Sequence, residues 1–496
     1  MAKYGFERIR FFLNKHKVVL SIILIHCLIT IPLAYILNTH FDEACSLYDT
    51  NGTLSHTIKS AITFDNQAPL YFVFLDFWRK IDSSFFFARL FSIVFSSLTI
   101  FVCYRFLEKY AGISKPGWVT FLIAINPFLI DYAVEIRLYT LMVFLSVVLI
   151  YLMYKIYLYD NQSKKYRIFF ILASIISLHI HYYMGFLLVA IGANVLIYKG
   201  WKKFNTYLID MTLPLFSLLF VIPFMGSISR QIGASSNQMN LKTILDYFRD
   251  QIILSQIFSF NLLPYPLLSK YLLWAFLIVA ASIYLISIKD HFKNFIRILK
   301  LKEYSTIPVI IVLLLFYLLI ILKFGFLKLQ IRYTASLFFP LVLTVASFIY
   351  ISEKKKFLIF WFLLFTFLYS SSLINVYAPM AKQGDWIRIS KYLETNEKSS
   401  EPILIPDSTY AMPFKVHYKG PNSVITMYDK KTENNLIKTI EARSSNNYWW
   451  VFQDPEWQTH AEDAEVAKKF ISDNFNVISK KSFHLWMQVW YIKRKN

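Results

Sequence analysis

The sequence has few charged residues and few cysteines for its length. Only 17% of its 496 residues are Asp, Glu, Lys or Arg, a share too low for an ordinary soluble globular protein. Its three cysteines, Cys27, Cys45 and Cys103, offer no disulfide framework and no CxxC pair. The chain also has no Walker loop, no GxGxxG motif and no visible internal repeat, and it therefore gives no support to a nucleotide-driven pump.

The sequence is instead rich in apolar residues: 56% of its residues are hydrophobic and the mean hydropathy is +0.45. A transmembrane helix needs about 20 mostly apolar residues. Long candidates lie at 18–37, 85–104, 138–157, 206–225, 271–288, 306–322, 333–351 and 357–376, and shorter ones at 117–133, 168–180 and 183–198. We therefore predict an α-helical polytopic membrane protein with about eleven transmembrane helices.

The formal net charge of +21 comes from short basic clusters between the apolar segments. Lys and Arg are retained in the cytoplasm, so this pattern indicates topology and not nucleic-acid binding. It places the N-terminus in the cytoplasm, with the first helix retained and not cleaved as a signal peptide. The transmembrane domain is then 1–376, and residues 38–84 form a large external loop.

Within that loop, the segment 69–78 is apolar but too short to cross the membrane. We expect it to be re-entrant or to lie along the outer interface. A crossing there would invert every later span and place the basic clusters on the wrong side.

The composition changes at Tyr377, where charged residues begin to alternate with short apolar runs. We predict a separate extracytoplasmic α/β domain at 377–496. The pattern favours helices near 384–394 and 461–474, strands near 402–406, 423–428 and 448–453, and closing strands through the final "FHLWMQVWYIK".

This topology gathers unusual polar residues at the outer face. They are Asp42, Glu43, Arg89, Asp131, Glu135, Arg137, His179, His181 and Arg332. Ionisable groups near a membrane tend to mark function. Taken singly, each also has a structural interpretation: the arginines as interfacial anchors, Glu135 with Arg137 as a pair at a helix end, and the acids as solvated loop residues.

Together these residues suit a transfer reaction. A carboxylate can take a proton from an attacking hydroxyl while arginines hold a departing phosphate. Because the extracytoplasmic space lacks nucleotide sugars, a glycosyltransferase there needs a sugar carried on a membrane lipid phosphate.

Several patches resemble a known family. "FDEACSL" resembles the acidic motif of the first external loop of the GT-C glycosyltransferases, in the branch of protein O-mannosyltransferases and lipid A aminoarabinose transferases. "NQAPLYFVFLDFW" resembles its H/K-P-P-L-Y segment, "NPFLIDYAVEIRLYTLMVFL" its Y-S-x-E-A-R-x-Y segment, "HIHYYMGFLL" its T-H-Y-x-G-L-L segment and "IRYTASLFFPLVL" its R-Y-L-x-P helix. "GDWIRISKYL" resembles the opening of the family's external domain.

The resemblance implies the GT-C fold and assigns site residues. Asp42 is the expected catalytic base, with Glu43 beside it to position the acceptor or tune the base. The donor phosphate would be bound by Arg89, Arg137 and Arg332. The substrate pocket would be formed by Gln67, Glu135, Tyr139, His181, Tyr182 and Tyr333. Gln67 departs from the family's basic residue, so we expect no catalytic metal, although some relatives bind a divalent ion.

The resulting hypothesis is an inverting glycosyltransferase of the cytoplasmic membrane that uses a polyprenyl-monophosphate sugar donor and a hydroxyl acceptor. It requires the acids and the arginines to share one outer pocket. A flippase or transporter of a polyprenyl-linked glycan remains an alternative, as does a polymerase or ligase that uses a pyrophosphate carrier. The sequence does not identify the sugar or the acceptor.

Overall fold

The computed structural model of the chain is mostly helical. It describes residues 2–495 apart from positions 66, 112, 114, 162, 221–240, 250–251, 253–254, 259–305, 325–330, 352–354, 383, 406–407, 427–444 and 454–468. The chain divides into two compact units, a helical unit of residues 1–34 and 49–376 and an α/β unit of residues 35–48 and 377–496. The segment 35–48 is thus grouped with the C-terminal residues. The expected domain boundary at 377 stays a prediction.

The described α-helices are numbered here in chain order. They are α1 (Ala2–Ile36), α2 (Phe41–Asp49), α3 (Leu54–Thr63), α4 (Leu70–Arg79), α5 (Phe85–Tyr110), α6 (Pro116–Ala124), α7 (Pro127–Ala133), α8 (Tyr139–Met153), α9 (Lys164–Ile180), α10 (Met184–Ser217), α11 (Leu241–Tyr247), α12 (Ser255–Phe258), α13 (Thr306–Phe324), α14 (Phe338–Ile351), α15 (Lys355–Tyr377), α16 (Trp386–Asn396) and α17 (Ser408–His417). A 3-10 helix, Ile331–Leu337, precedes α14.

Among the described residues, five helical stretches are long and apolar enough to cross a membrane. They are Leu13–Ile36, Phe85–Tyr110, Tyr139–Leu158, Met184–Phe220 and Leu358–Tyr377. Four predicted spans, those beginning at residues 18, 85, 138 and 357, coincide with such stretches. The predicted span 271–288 lies outside the described residues, and the total of about eleven crossings stays a prediction.

The stretch Met184–Phe220 contains a chain reversal. Gly200 has φ +71°, outside the helical region, in the middle of α10. The Tyr207 hydroxyl donates to the carbonyl of Leu188 at 2.6 Å, although a straight helix would separate residues 19 positions apart by about 28 Å. The two arms are therefore antiparallel neighbours, as expected for separate helices starting near 183 and 206.

A second interruption divides the segment that we expected as one short span at 117–133. Asn126 separates α6 from α7, and its side-chain oxygen accepts the backbone N–H of Phe128 at 2.8 Å. Pro127 has no N–H to continue the helix. The Asn126 amide also donates to the Tyr369 hydroxyl at 3.0 Å, so this buried polar break is satisfied from α15.

The apolar segment 69–78 forms the short helix α4. Its 10 residues extend about 15 Å, half the thickness of a hydrocarbon core. Arg79 at its end is buried and donates to the carbonyls of Thr50 at 3.0 Å and Ser83 at 3.1 Å. Helix α4 is thus too short to span a bilayer, and its placement at the interface stays a prediction.

The α/β unit contains a five-stranded sheet. Its strands are β1 (Ile403–Ile405), β2 (Val424–Thr426), β3 (Asn447–Gln453), β4 (Phe475–Ser482) and β5 (Met487–Arg494), in the order β2-β1-β3-β5-β4. Strand β1 pairs in parallel with β2 and β3, and β5 pairs antiparallel with β3 and β4.

Both faces of the central strand β3 are buried. Trp449 and Val451 pack in one cluster with Trp386 of α16, and Tyr448 and Trp450 pack in a second cluster on the opposite face. This follows from the alternation of side chains along a strand. The continuous apolar run of β3 therefore reflects a strand that is covered on both faces.

Candidate functional site

The predicted acids lie in the first turn of α2, within the α/β unit. The side-chain oxygen Oε2 of Glu43 accepts the backbone N–H of His40 at 3.1 Å, and Nδ1 of His40 accepts the backbone N–H of Asp42 at 3.0 Å. This is a reciprocal cap, in which side chains satisfy the free N–H groups of a helix start. Negative charge is also favoured there by the helix dipole.

The two acids differ in exposure. Glu43 is completely buried, whereas Asp42 is partly exposed. The Nζ atom of Lys382 lies 3.8 Å from Oε2 of Glu43, and that lysine side chain is only 9% exposed. Asp42 is thus the more exposed of the two acids, while Glu43 is engaged within the protein.

The segment before α2 is attached to the rest of the α/β unit. The Asn38 amide donates to the carbonyl of Gly384 at 2.8 Å, and its oxygen accepts the N–H of Ile387 at 2.8 Å. The Thr39 N–H donates to Nε2 of His417 at 3.1 Å. These contacts hold the acid-bearing turn in one orientation.

In the helical unit, Arg137 is already paired with an acid. Its guanidinium donates to Oδ2 of Asp65 at 2.8 Å, and both side chains are largely buried. The sequence assigned Arg137 to the donor phosphate and gave Asp65 no role. Asp65 lies two residues before Gln67, directly before the segment that resembles the family's H/K-P-P-L-Y motif.

A second acid lies near this pair. Asp49, at the end of α2, is fully buried and accepts a hydrogen bond from the Ser60 hydroxyl. Burial raises the pKa of Asp49 to about 7, and the negative charge of Asp65 adds to the rise, while the Ser60 hydrogen bond and the Arg137 charge oppose it. Asp49 therefore titrates close to neutral pH.

Four predicted residues meet in a cationic aromatic cluster of the helical unit. The Arg332 guanidinium lies over the rings of Tyr139 and Tyr333, at 5.8 Å and 5.6 Å from their centroids. The ring of His181 lies 5.4 Å from that of Tyr333. Rings at these distances hold a guanidinium in place without neutralising it.

His181 is neutral at physiological pH. Loss of solvation, with a contribution from the positive charge of Arg137, lowers the pKa of His181 to about 4. Its Nδ1 accepts the backbone N–H of Tyr183 at 3.2 Å. His181 can therefore serve as a neutral hydrogen-bonding group beside the cluster, but not as a cation.

Arg89 and Glu135 are buried in the same unit. Arg89 is fully buried, donates to the carbonyl of Ala34 at 2.9 Å and lies 5.4 Å from the ring centroid of Phe85. The backbone carbonyl of Glu135 accepts the hydroxyl of Ser92. These contacts tie α5 to the end of α1 and to the turn before α8, and the assigned substrate roles stay predictions.

Two remaining predicted residues flank the helices. The Oε1 atom of Gln67 is buried without a hydrogen-bond partner among the described residues, and it is thus available to a ligand. Tyr182 is half-buried in the turn that leads into α10. Within the described part of the chain, no three His, Cys, Asp or Glu residues form a metal-binding group. Absence of a catalytic metal stays a prediction.

Known proteins resemble this chain in structure. No protein-family model matches the sequence, and no curated protein matches it. The crystal structure of ArnT from Cupriavidus metallidurans bound to undecaprenyl phosphate is similar over 97% of this chain and 98% of its own length, with a TM-score of 0.55 at 10% identity. This chain has the GT-C fold.

The apo structure of the same ArnT gives a matching result, with a TM-score of 0.52 at 8% identity over 95% of this chain and 97% of that one. The sequence motifs in the loops and helices implied the GT-C fold, and the structural likeness confirms that prediction. The likeness extends over both the helical unit and the α/β unit, because nearly the whole length of each chain is covered.

Proposed function

We propose that this protein is an inverting glycosyltransferase that moves a sugar from a polyprenyl monophosphate to an acceptor hydroxyl at the outer face of the cytoplasmic membrane. The observation that carries the proposal is the fold likeness, over almost the whole chain, to a protein whose structure holds undecaprenyl phosphate. The partly exposed Asp42 on a capped helix start supplies the chemical group that such a transfer needs.

In this mechanism Asp42 takes the proton of the acceptor hydroxyl. The acceptor oxygen forms a bond to the anomeric carbon while the bond from that carbon to the phosphate oxygen breaks. The electron pair of the broken bond leaves with the polyprenyl phosphate. Attack from the face opposite the leaving group inverts the anomeric configuration.

Arg332 stabilises the phosphate as its charge grows. Its guanidinium lies over the rings of Tyr139 and Tyr333, and a planar guanidinium suits the binding of a phosphate. Arg137 contributes a second positive charge that is shared with Asp65. His181, Tyr182, Glu135 and Gln67 line the sugar pocket in this proposal, and Arg89 supports the phosphate side.

Purified protein in detergent tests the proposal. Undecaprenyl phosphate carrying radiolabelled glucose, mannose or aminoarabinose would be offered with lipid and protein acceptors from bacterial membranes that lack the protein. Transfer of label with release of undecaprenyl phosphate is the expected result. A transporter needs two compartments and would show no transfer, and turnover restricted to pyrophosphate-linked donors would support the polymerase alternative.

A further inference from the structure

The ion pair between Glu43 and Lys382 is a feature of the α/β unit that the sequence motifs did not indicate. Glu43 has no exposed surface, and the Lys382 side chain is 9% exposed. The pair joins α2 to the segment between α15 and α16, across more than 300 residues of sequence. Buried charges persist when they are paired, so each of these two groups accounts for the other's burial.

The segment between α15 and α16 contacts the first turn of α2 and the residues before it at two points. Lys382 approaches the carboxylate of Glu43, and the carbonyl of Gly384, two residues later, accepts the Asn38 amide at 2.8 Å. Gly384 adopts φ +152°, a conformation that glycine accommodates at little cost. Lys382 and Gly384 therefore contact both the first turn of α2 and the residues that lead into it.

Glu43 is fixed from two directions. Its Oε2 accepts the N–H of His40 and faces the ammonium of Lys382. The preceding residue is Asp42, whose own N–H is bound by His40. Because the two acids are neighbours in the same helical turn, fixing Glu43 also fixes the backbone from which Asp42 projects.

The charge of Lys382 also bears on the protonation of Glu43. A nearby cation favours the ionised form of a carboxylate, and an ionised Glu43 needs this cation because burial alone favours the neutral form. Among the described residues of the α/β unit, the charged or titratable groups at this turn and beside it include His40, His417, Lys382 and Asp385, and Asp385 is itself paired with Arg388 at 2.7 Å. Lys382 is the cation that faces Glu43 in this set.

We propose that Lys382 is a positioning residue that keeps Glu43 as a buried anion, and so orients Asp42 and keeps it unprotonated as the base. This inference rests on the proposed function. Lys382 does not touch substrate in this proposal, and Glu43 serves the base and not the acceptor.

The test compares Lys382→Met, Lys382→Arg and Glu43→Gln with the double variant Lys382→Met/Glu43→Gln, in purified protein that retains its thermal transition. Lys391→Met, on the exposed face of α16, is the matched control. We expect Lys382→Met to lower kcat by up to about 100-fold, as small displacements of a reacting group do, with little change in the KM for donor. We also expect the acidic limb of its pH–activity profile to move to higher pH.

The double variant distinguishes positioning from mere folding. Since removing both charges is less damaging than leaving one unpaired, the double variant should be more active than Lys382→Met alone. Lys382→Arg should recover most of the activity. In these variants activity should follow the balance of charge at Glu43. A simple loss of folding would not produce that pattern.

An unchanged kcat and pH profile in Lys382→Met would overturn the inference, as would a double variant with the product of the two single losses. If wild-type protein transferred no sugar in the same assay, the proposed function would fail and this inference with it. An active wild type with an unaffected Lys382→Met would overturn only the inference.

Discussion

The acid-bearing turn of the α/β unit and the cationic aromatic cluster of the helical unit surround their charged groups differently. The buried carboxylate of Glu43 accepts the N–H of His40 at the helix start and lies near Lys382, so its negative charge is compensated within the protein. The guanidinium of Arg332 lies over the rings of Tyr139 and Tyr333. The first arrangement suits a fixed base, and the second suits a site that receives an anion.

The largest expected effect is at Asp42. Asp42→Asn keeps the shape of the side chain and removes its ability to take a proton, so transfer should fall by a factor of about 1,000 or more. The transfer assay with labelled donor measures this loss. Asp473→Asn, an exposed acid of the same unit, is the control and should transfer normally. Substantial turnover by Asp42→Asn would remove Asp42 from the mechanism.

Arg332 should come next. Arg332→Met removes the oriented guanidinium, and we expect kcat/KM to fall by about 100-fold to 1,000-fold, the usual loss of one group that stabilises developing charge. Arg332→Lys should recover part of this loss, because a lysine supplies charge without the planar fork that stacks on Tyr139 and Tyr333. Equal activity of Arg332→Met and wild type would show that the cluster does not take part in the reaction.

The pairing of Arg137 with Asp65 predicts a smaller, coupled effect. Asp65→Asn and Arg137→Met should each lower kcat/KM, by about 10-fold for Asp65→Asn, through loss of orientation. Their double variant should lose less than the product of the two, with a coupling energy of about 1–3 kcal/mol. Independent, multiplicative losses would show that the contact at 2.8 Å has no consequence for activity.

The smallest effect is on stability at Asp49. Because burial raises its pKa to about 7, above the ordinary value of 3.8, the folded state binds a proton that the unfolded state releases. Stability should therefore fall as pH rises from about 4 to 7. Since a pKa difference of one corresponds to about 1.4 kcal/mol, this contribution is a few kcal/mol at most.

Asp49→Asn tests that sign. Asparagine can still accept from Ser60 and carries no charge, so the variant should melt at a higher temperature than wild type at pH 8 and at a similar one at pH 4. Thermal unfolding in detergent at the two pH values measures this. A melting temperature of the variant below that of wild type at pH 8 would contradict the assigned cause.

Sequence patterns predicted the elements whose signal is local. The runs at 85–104 and 138–157 coincide with α5 and α8, and the strand expected at 448–453 coincides with β3. The break at Asn126 was missed because the apolar run continues on both sides of it, although Asn126 and Pro127 are local signals for a helix boundary. The partner that satisfies the Asn126 amide, Tyr369, is distant in sequence, and local periodicity does not identify it.

The same limit applies to the candidate site. Motifs selected Arg332, Tyr333, Tyr139 and His181, which the structure brings together in one cluster. Lys382 and Asp65 were missed because a compensating charge is defined by proximity in the fold and has no fixed spacing from the residue that it serves. Lys382 is 339 positions from Glu43 along the chain.

The central claim is that Asp42 acts as the base and Arg332 binds the donor phosphate. It is tested most directly by measuring the binding of undecaprenyl phosphate to purified variants, by native mass spectrometry or by direct titration. The account predicts that Asp42→Asn binds the lipid phosphate as wild type does, while Arg332→Met binds it at least about 10-fold more weakly. Normal binding by Arg332→Met, with weakened binding by Asp42→Asn, would contradict it.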